Sequence, residues 1–208
     1  MTAIIDYGVG NLFSLVSSFE KIGEKAVITA DPAVLESAER VILPGVGAFK
    51  DAADKLNASG MVPALLAQIA KGKPVMGICL GMQLLFDKSF EYGEHDGLGL
   101  IPGEIRPIAD RVSDLKIPHM GWNALTFEQG QHPLFKYIHE GDCVYFVHSF
   151  CAVNCEKDRI AWSEYGADIT AAVAKGNIMG CQFHPEKSGD VGLAILRAFC
   201  EMKEGSLC

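Results

Sequence analysis

The stretch KPVMGICLGMQLLFDK, residues 73–88, carries the feature that decides the fold. Its first part, Lys73 to Ile78, is a short apolar run that predicts a buried strand, and Gly81 to Lys88 predicts the helix that follows. Between them lies Gly77-Ile78-Cys79-Leu80-Gly81, a G-x-C-x-G element and the thiol counterpart of the G-x-S-x-G nucleophile elbow. The stretch therefore predicts a strand that turns sharply into a helix and holds the Cys79 thiol on the turn.

Cys79 has the surroundings that a nucleophilic thiol needs. Neighbours without a Cβ permit close backbone approach and strained dihedral angles at the nucleophile, which explains Gly77 and Gly81. The N-terminus of a helix favours a thiolate, and the Leu80 N–H is free to donate to a developing oxyanion. The alternative is that Cys79 is a buried packing residue, as we expect for most of the other cysteines. The glycines argue against it, because they would weaken an ordinary junction between strand and helix.

The first half of the chain alternates short β-branched apolar runs with longer amphipathic stretches, which is typical of a parallel sheet with helices on its faces. Asp31-Pro32 supplies an N-cap and an N1 proline for the second helix. The strands predicted before residue 73 are Thr2 to Asp6, Lys25 to Thr29 and Arg40 to Leu43. The predicted helices are Asn11 to Ile22, Ala33 to Ala38, Ala48 to Leu56 and Pro63 to Lys71.

After Gly93 the pattern changes, because glycine and proline become frequent and predicted strands follow one another without helices. Lys175-Gly176-Asn177 is a turn signal, and Val191 to Met202 predicts a final helix. We therefore predict an α/β fold in a single domain, residues 1–208, with a mostly parallel central sheet, helices on both faces and antiparallel additions in the second half. The later strands are predicted at Gly103 to Ile108, Ala124 to Phe127, Cys143 to Phe150, Ile160 to Tyr165, Thr170 to Lys175 and Ile178 to Phe183.

A second chemical element, Gly180-Cys181-Gln182-Phe183-His184-Pro185-Glu186, lies about a hundred residues after the elbow. On an extended segment, residues two apart project to the same side, so His184 and Glu186 can face one point. Glu186 can then orient the imidazole of His184 so that it accepts the thiol proton, which is the logic of the Ser-His-Asp triad with other residue types. The two elements together predict a catalytic triad of Cys79, His184 and Glu186.

The amino-acid composition and the N-terminal sequence limit which partners and which cellular compartment are expected. The 208 residues include 49% hydrophobic and 21% charged residues, and the formal charge is −8, so nucleic acid and anionic membranes are not expected partners. The N-terminus, MTAIIDYG, has no basic region, and no apolar run has the length of a membrane span. Seven cysteines without an export signal point to reduced thiols, and we expect a cytoplasmic protein.

The motifs taken together resemble a known family over nearly the whole chain. The chain looks like a class I (triad) glutamine amidotransferase, and within that class it is most similar to the glutaminase subunit of imidazole glycerol phosphate synthase, from histidine biosynthesis. The resemblance rests on Asp6-Tyr7-Gly8-Val9-Gly10-Asn11-Leu12, Pro44-Gly45-Val46-Gly47-Ala48-Phe49, Gly77-Ile78-Cys79-Leu80-Gly81-Met82-Gln83, His119-Met120-Gly121-Trp122-Asn123, Tyr145-Phe146-Val147-His148-Ser149 and Gln182 to Glu186.

This resemblance implies that Cys79 attacks the side-chain amide of L-glutamine and that ammonia is released without any metal or organic cofactor. Pro44 to Gly47 resembles an oxyanion strand, in which the Val46 N–H would join the Leu80 N–H once its peptide turns inward. The residues implied in the oxyanion site and in glutamine binding are Val46, Gly47, Leu80, Gln83, Glu91, Ser149 and Phe150.

The resemblance also implies a heterodimer with a cyclase subunit, a (β/α)8 barrel that receives the ammonia. Trp122 and Tyr145 are residue types common in interfaces, although both are also ordinary core residues. The residues that resemble the docking face are Asn11, His119, Met120, Gly121, Trp122, Asn123, Tyr145 and Lys187.

Four other interpretations compete with this one. The first is the glutaminase subunit of another synthase, such as the one that makes pyridoxal phosphate. The second is a cysteine hydrolase or peptidase, and the third is a non-catalytic regulatory scaffold. The complete triad argues against a scaffold, and Gln83 with the His-Pro-Glu pairing argues against a peptidase. The fourth is a zinc site, but its spacing matches no paired C-x2-C pattern, so no metal is expected. Its ligands would come from His148, Cys143, Cys151, Cys155 and Cys181.

Overall fold

The computed structural model describes residues 1–128 and 130–205, and its first half alternates strands and helices as predicted. Most predicted boundaries in this half lie within two residues of the observed ones. The Asp31 carboxylate accepts a hydrogen bond of 2.9 Å from the Ala33 N–H, which is the predicted N-cap. The elements are β1 (Thr2–Ile5), α1 (Leu12–Lys21), β2 (Ala26–Thr29), α2 (Pro32–Ser37), β3 (Arg40–Leu43), α3 (Phe49–Ala58), α4 (Met61–Ala70), β4 (Val75–Ile78) and α5 (Leu80–Gln83).

The second half is rich in strands, again as predicted, and ends in a helix. Short 3-10 turns at Ile108–Asp110, Pro133–Phe135 and Pro185–Lys187 interrupt it. The elements are β5 (Phe86–Ser89), β6 (His95–Asp96), β7 (Ile101–Pro107), β8 (His119–Ala124), β9 (Thr126–Phe127), β10 (Cys143–His148), β11 (Phe150–Val153), β12 (Arg159–Glu164), β13 (Asp168–Lys175), β14 (Ile178–Cys181) and α6 (Gly189–Glu201).

The central sheet has eight strands in the order β2-β1-β3-β4-β14-β13-β12-β9. The first five strands in this order are parallel, and the remaining pairs are antiparallel. β13 and β14 form a hairpin in which Lys175 pairs with Ile178, so the predicted turn lies at Gly176 and Asn177. A four-stranded sheet, β11-β7-β5-β6, and a two-stranded ribbon, β8 with β10, are the antiparallel additions, although β5 and β7 run parallel.

Helices cover both faces of the central sheet, as predicted. Successive residues of a strand point to opposite faces, so continuous apolar strands feed two cores. On one face Ile4 and Met76 pack with Phe19 of α1 and Phe199 of α6. The opposite face packs β1 and β3 side chains against α2, α3 and α4, with contributions from Ala3, Ile5, Val41, Leu43, Leu35, Phe49 and Leu65.

The predicted helix from Gly81 to Lys88 is wrong beyond its first turn. The helix ends at Gln83, and Phe86–Ser89 is strand β5, which pairs with β7 and with β6. A short apolar run such as Leu84-Leu85-Phe86 suits either state, and pairing with distant strands decides the outcome. The predicted strand from Cys143 to Phe150 is also interrupted at Ser149, where β10 ends and β11 begins in another sheet.

The topology brings three functional segments to one edge of the sheet. β3, β4 and β14 are adjacent and parallel, so their carboxyl ends lie side by side. The segment from Pro44 to Gly47 follows β3, Cys79 follows β4, and His184 lies shortly after β14. In open α/β sheets this edge is where ligands usually bind.

Candidate active site

Cys79 sits on a strained turn between β4 and α5, with φ of 54°. Its flanking glycines are required by space: a Cβ on Gly77 would lie 2.6 Å from the Gly81 carbonyl oxygen, and one on Gly81 would collide with the Leu43 carbonyl oxygen. Positive φ at a non-glycine residue costs energy and is found mainly at functional sites. Because α5 has only four residues, its dipole supports a thiolate less than a full helix would.

His184 and Glu186 form a buried pair at the end of β14. His184 Nδ1 lies 2.8 Å from Glu186 Oε1, and both side chains are almost completely shielded from solvent. Glu186 lies in the 3-10 turn Pro185–Lys187, which brings its carboxylate back toward the imidazole. This contact leaves the Nε2 atom of His184 free to face the thiol.

The electrostatics of His184 are those of a base beside a thiolate. Burial alone lowers the pKa of His184, but hydrogen bonds to Cys79 and Glu186, together with the negative charges of both groups, outweigh burial and raise it to about 9. The imidazole and the Cys79 sulfur are thus electrostatically coupled. At neutral pH this raised pKa favours the imidazolium form of His184.

The turn that carries His184 is fastened to strand β10. The His184 N–H donates to the Tyr145 carbonyl oxygen at 3.0 Å, and the Tyr145 N–H donates to Ser188 Oγ at 3.0 Å. The Ser188 hydroxyl in turn donates to the His184 carbonyl oxygen at 2.6 Å. The position of the imidazole is thus set by both the central sheet and the ribbon of β8 and β10.

Cys79 and His184 open onto a cleft of about 430 Å³. Every residue predicted for the oxyanion site or for glutamine binding lines this cleft, and so does Lys187, which was predicted for the partner face. Pro118, Val147 and His148 also line it, and no role in the oxyanion site or in glutamine binding was predicted for them. The predicted residues that the structure brings together here are Cys79, His184, Val46, Gly47, Leu80, Gln83, Glu91, Ser149, Phe150 and Lys187.

The segment after β3 passes directly over the elbow. A Cβ on Gly45 would lie 2.6 Å from the Gly81 N atom, so only glycine permits this approach. Gly47 has φ of 93° and free space around it, and the Val46 side chain is partly exposed. Tyr7, which is buried, anchors the start of the segment by donating from its hydroxyl to the Pro44 carbonyl oxygen at 2.7 Å.

Two side-chain contacts tie the predicted glutamine-binding residues to the framework. Gln83 Nε2 donates to the Phe150 carbonyl oxygen at 3.2 Å and to Gln182 Oε1 at 2.9 Å. Glu91 Oε2 accepts from the Phe49 N–H at 2.6 Å, which places its carboxylate at the N-terminus of α3. The sequence assigned no role to Gln182, which lies in the bend between β14 and His184.

A second histidine, His148, lies at the end of β10 beside the glutamine-binding segment. Its Nδ1 donates to the Phe150 carbonyl oxygen at 2.8 Å, and its Nε2 lies 3.0 Å from His119 Nδ1. Burial, with a smaller effect from the neighbouring histidines, lowers the pKa of His148 to about 3, against the effect of the bond to Phe150. His148 is therefore neutral at physiological pH.

The predicted docking face is only partly at the surface. Met120 and Trp122 on β8 are 59% and 54% exposed, whereas the His119 side chain is fully buried. His119 stacks on Phe146 and Tyr165 with centroids 4.7 and 4.0 Å away, so the prediction that it contacts a partner is wrong for its side chain. Side chains alternate along a strand, which sends Met120 and Trp122 outward and His119 inward. The remaining predicted residues are at least partly accessible: Asn11, Gly121, Asn123, Tyr145 and Lys187.

A zinc site was the fourth interpretation, with His148 and four cysteines as its ligands. Within residues 1–128 and 130–205, no three His, Cys, Asp or Glu side chains are grouped as ligands for a metal ion. The cysteines described are all free, and Cys143 is the exposed one among them. The seventh cysteine, Cys208, lies outside the described residues.

Comparison with known proteins decides the family. The family model for class I glutamine amidotransferases matches residues 3–202. A protein of Geobacter metallireducens named imidazole glycerol phosphate synthase subunit HisH is 50% identical over 206 residues, covering 97% of this chain and 98% of that protein. The chain belongs to the class I glutamine amidotransferases, in the HisH family. A Lacticaseibacillus casei protein of the same name is 48% identical over 204 residues, covering 98% of this chain and 97% of its own length.

Solved structures support the fold of this class I glutamine amidotransferase. PurLQS from Thermotoga maritima superposes with a TM-score of 0.73 at 20% identity, covering 96% of each chain. A glutamine amidotransferase from the same organism gives a TM-score of 0.61 at 15% identity, covering 96% of this chain and 82% of that one. None of the helices in the described parts of the chain has the length and apolar character needed to cross a bilayer.

Proposed function

We propose that the chain, acting as one domain over residues 1–208, hydrolyses L-glutamine to glutamate and ammonia as the glutaminase subunit of imidazole glycerol phosphate synthase in histidine biosynthesis. The observation that carries this proposal is that Cys79 and His184 line one cleft at the carboxyl ends of two adjacent parallel strands, with Glu186 bonded to His184 behind it. The relatives' name supports the choice of synthase.

The reaction proceeds through a thioester. The Cys79 thiolate attacks the amide carbon of the glutamine side chain, and the Val46 and Leu80 N–H groups stabilise the oxyanion. The imidazolium of His184 gives its proton to the departing nitrogen, so that ammonia leaves. Neutral His184 then removes a proton from a water molecule, and this water attacks the thioester. Glutamate is released, and the Cys79 thiolate is regenerated. Glu186 holds His184 in position and stabilises its charged form through both steps.

The walls of the cleft supply the groups that hold glutamine. The substrate carries a carboxylate, an ammonium and an amide, and it lies between α5 and the Ser149–Phe150 segment. Glu91 provides the negative charge suited to the substrate ammonium, and backbone groups of Ser149 and Phe150 form the opposite wall of the cleft. Gln83 faces the cleft one helical turn after Cys79, where it contacts the bound side chain.

The ammonia passes to a cyclase subunit with a (β/α)8 barrel, and the docking face is the exposed side of the β8 and β10 ribbon. Trp122 and Tyr145 meet edge to face there with centroids 6.0 Å apart. The Lys187 ammonium lies 5.9 Å from the Tyr145 ring centre and also lines the cleft. A partner seated on this face would cover the way out of the cleft, which would keep the ammonia from being protonated in solvent.

The test is ammonia release from glutamine, measured with and without the cyclase subunit. We expect Cys79→Ala to abolish release, a loss of about 10⁴-fold or more, because no other group can form the thioester. Cys143→Ala is the matched control in the assay without the cyclase, since this thiol is exposed and outside the cleft. It should retain wild-type activity there, and it is not used in the assay with the partner because it lies on the β8 and β10 ribbon.

Partner identity is tested in the same assay. The cyclase of imidazole glycerol phosphate synthesis should raise turnover, and the synthase subunit that makes pyridoxal phosphate should not. Full activity in Cys79→Ala would disprove the mechanism. Stimulation by the second partner alone would leave the chemistry intact and overturn the assigned pathway.

A further inference from the structure

Gln182 is fully buried and touches the nucleophile. It lies between the end of β14 and His184, and its Nε2 atom is 3.7 Å from Cys79 Sγ. Its Oε1 atom is 2.9 Å from Gln83 Nε2. The mechanism above assigns no role to this side chain.

The orientation of both amide groups follows from one backbone carbonyl. The Phe150 carbonyl oxygen can only accept, so the Gln83 atom 3.2 Å from it must be the nitrogen. That nitrogen also faces Gln182, so the facing atom of Gln182 must be its oxygen. The Gln182 nitrogen is then directed at the Cys79 sulfur, and its N–H is a donor to that sulfur.

We propose that Gln182 is a catalytic residue that donates an amide N–H to the Cys79 thiolate and stabilises it as the nucleophile. The inference rests on the proposed glutaminase function. His184 supplies a charged donor to the sulfur, and Gln182 supplies a neutral donor that stays in place after His184 has given up its proton. Through its Oε1 atom Gln182 also keeps Gln83 against the cleft.

Burial makes this contact energetically important. Gln182 is fully buried, so water cannot replace its N–H on that side of the sulfur, and the donor contributes more than it would at the surface. A buried glutamine could instead be a packing residue that merely satisfies Gln83. The two roles differ in one measurable respect, which is the pH at which the Cys79 sulfur becomes reactive. The titratable groups that face Cys79 or line its cleft are His184, Tyr7, Cys181, Glu91, His148 and Lys187.

The experiment follows the rate of Cys79 alkylation by iodoacetamide against pH in the full chain, with the Cys79 peptide quantified by mass spectrometry. Gln182→Met keeps the volume and removes the donor. It should move the pH midpoint of the alkylation rate upward by about one unit, the shift expected from losing one hydrogen bond to a charged acceptor. Gln182→Glu still accepts from Gln83 but places a negative charge beside the sulfur, so its midpoint should move further upward.

Gln68→Met is the matched control, because Gln68 is also a buried glutamine but lies on α4, away from the cleft. It should leave the midpoint unchanged. A wild-type midpoint in a Gln182→Glu variant with a native circular dichroism spectrum would overturn the inference. The assay contains neither glutamine nor partner, so this failure is distinguishable from failure of the glutaminase assignment, which only the ammonia assay reports.

Discussion

Two histidines border the same cleft, and their environments differ in kind. His184 follows β14 and contacts Cys79 and Glu186, whereas His148 ends β10 and contacts His119 and a backbone carbonyl. Both are buried, with 3% and 7% of their surface exposed. Yet the pKa of His184 is raised to about 9, against the effect of burial, while that of His148 is lowered to about 3, in line with it.

The comparison teaches that burial does not decide the charge of a histidine. Burial disfavours the imidazolium at both positions, and at His184 hydrogen bonds to two acidic groups, together with their negative charge, reverse that preference. His184 has two such groups, whereas the neighbours of His148 are other histidines and a carbonyl dipole. The His184 ring can therefore exchange protons, whereas the His148 ring stays neutral and forms fixed hydrogen bonds in the cleft wall.

Among changes to the surroundings of the two histidines, the largest effect is expected from Glu186→Gln, which makes His184 more like His148. The substitution keeps a hydrogen-bonding group but removes the charge, so the pKa of His184 should fall from about 9. Glutaminase kcat should fall by roughly 10³-fold, because the imidazole loses both its orientation and the stabilisation of its charged form. NMR titration of the His184 ring and steady-state kinetics with the partner measure the two changes.

An exposed carboxylate serves as the control for Glu186→Gln. Glu140→Gln removes the same charge far from the cleft, so it should change neither quantity. A Glu186→Gln variant with unchanged kcat would show that His184 needs no orienting carboxylate, and the contrast between the two histidines would lose its functional meaning.

The second prediction concerns stability in acid. The folded protein holds His148 neutral, so its contribution is fully present above the pKa of an unfolded histidine, about 6.5, and is lost as pH falls toward 3. At pH 5 this one group should lower the free energy of unfolding by about 2 kcal/mol relative to pH 7. His148→Asn retains a donor for the Phe150 carbonyl and cannot titrate, so its unfolding free energy should depend less on pH over this range.

Urea unfolding at several pH values measures that dependence. His139→Asn is the control, because the side chain of His139 is 92% exposed. The same slope of unfolding free energy against pH in wild type and His148→Asn would mean that His119 or other groups control acid sensitivity. The lowered pKa of His119, which burial also causes, makes it the first alternative.

The smallest effect is expected from His119→Phe. A phenyl ring can keep the stacking on Phe146 and Tyr165 but leaves His148 Nε2 without a donor. Loss of a partner for a buried polar atom should cost about 1–2 kcal/mol of unfolding free energy at pH 7. The double variant His119→Phe, His148→Asn should lose less unfolding free energy than the sum of the losses in the two single variants. Full additivity would show that the two rings do not interact.

The sequence predicted the fold best where local signals and tertiary structure agree. β3 was predicted to the residue, and the β13–β14 turn was found, because apolar runs and turn residues there have one interpretation. β5 was predicted as helix, because its pairing with β6 and β7 depends on residues that follow it in the chain. The order of the strands in the sheets could not be predicted from local sequence patterns for the same reason.

The sequence predicted most residues of the site but not the environment of each one. Motifs named the residues that converge on the cleft, but their catalytic and binding roles stay predictions until they are tested. The burial of His119 was missed because a motif does not state which residues of a strand point inward. Gln182 was quoted as part of a motif without a role, because an uncharged amide has no chemical signature until its neighbours are known.

The order of strands in the central sheet constrains when the enzyme can work. β14 is nearly the last element of the chain, yet it occupies an interior place between β4 and β13. A chain still emerging from the ribosome holds its thiol beside an unfilled gap, with the edge of β4 open to unwanted pairing and no imidazole nearby. Insertion of this late strand closes the edge and supplies the base together, so a half-made polypeptide cannot begin consuming glutamine.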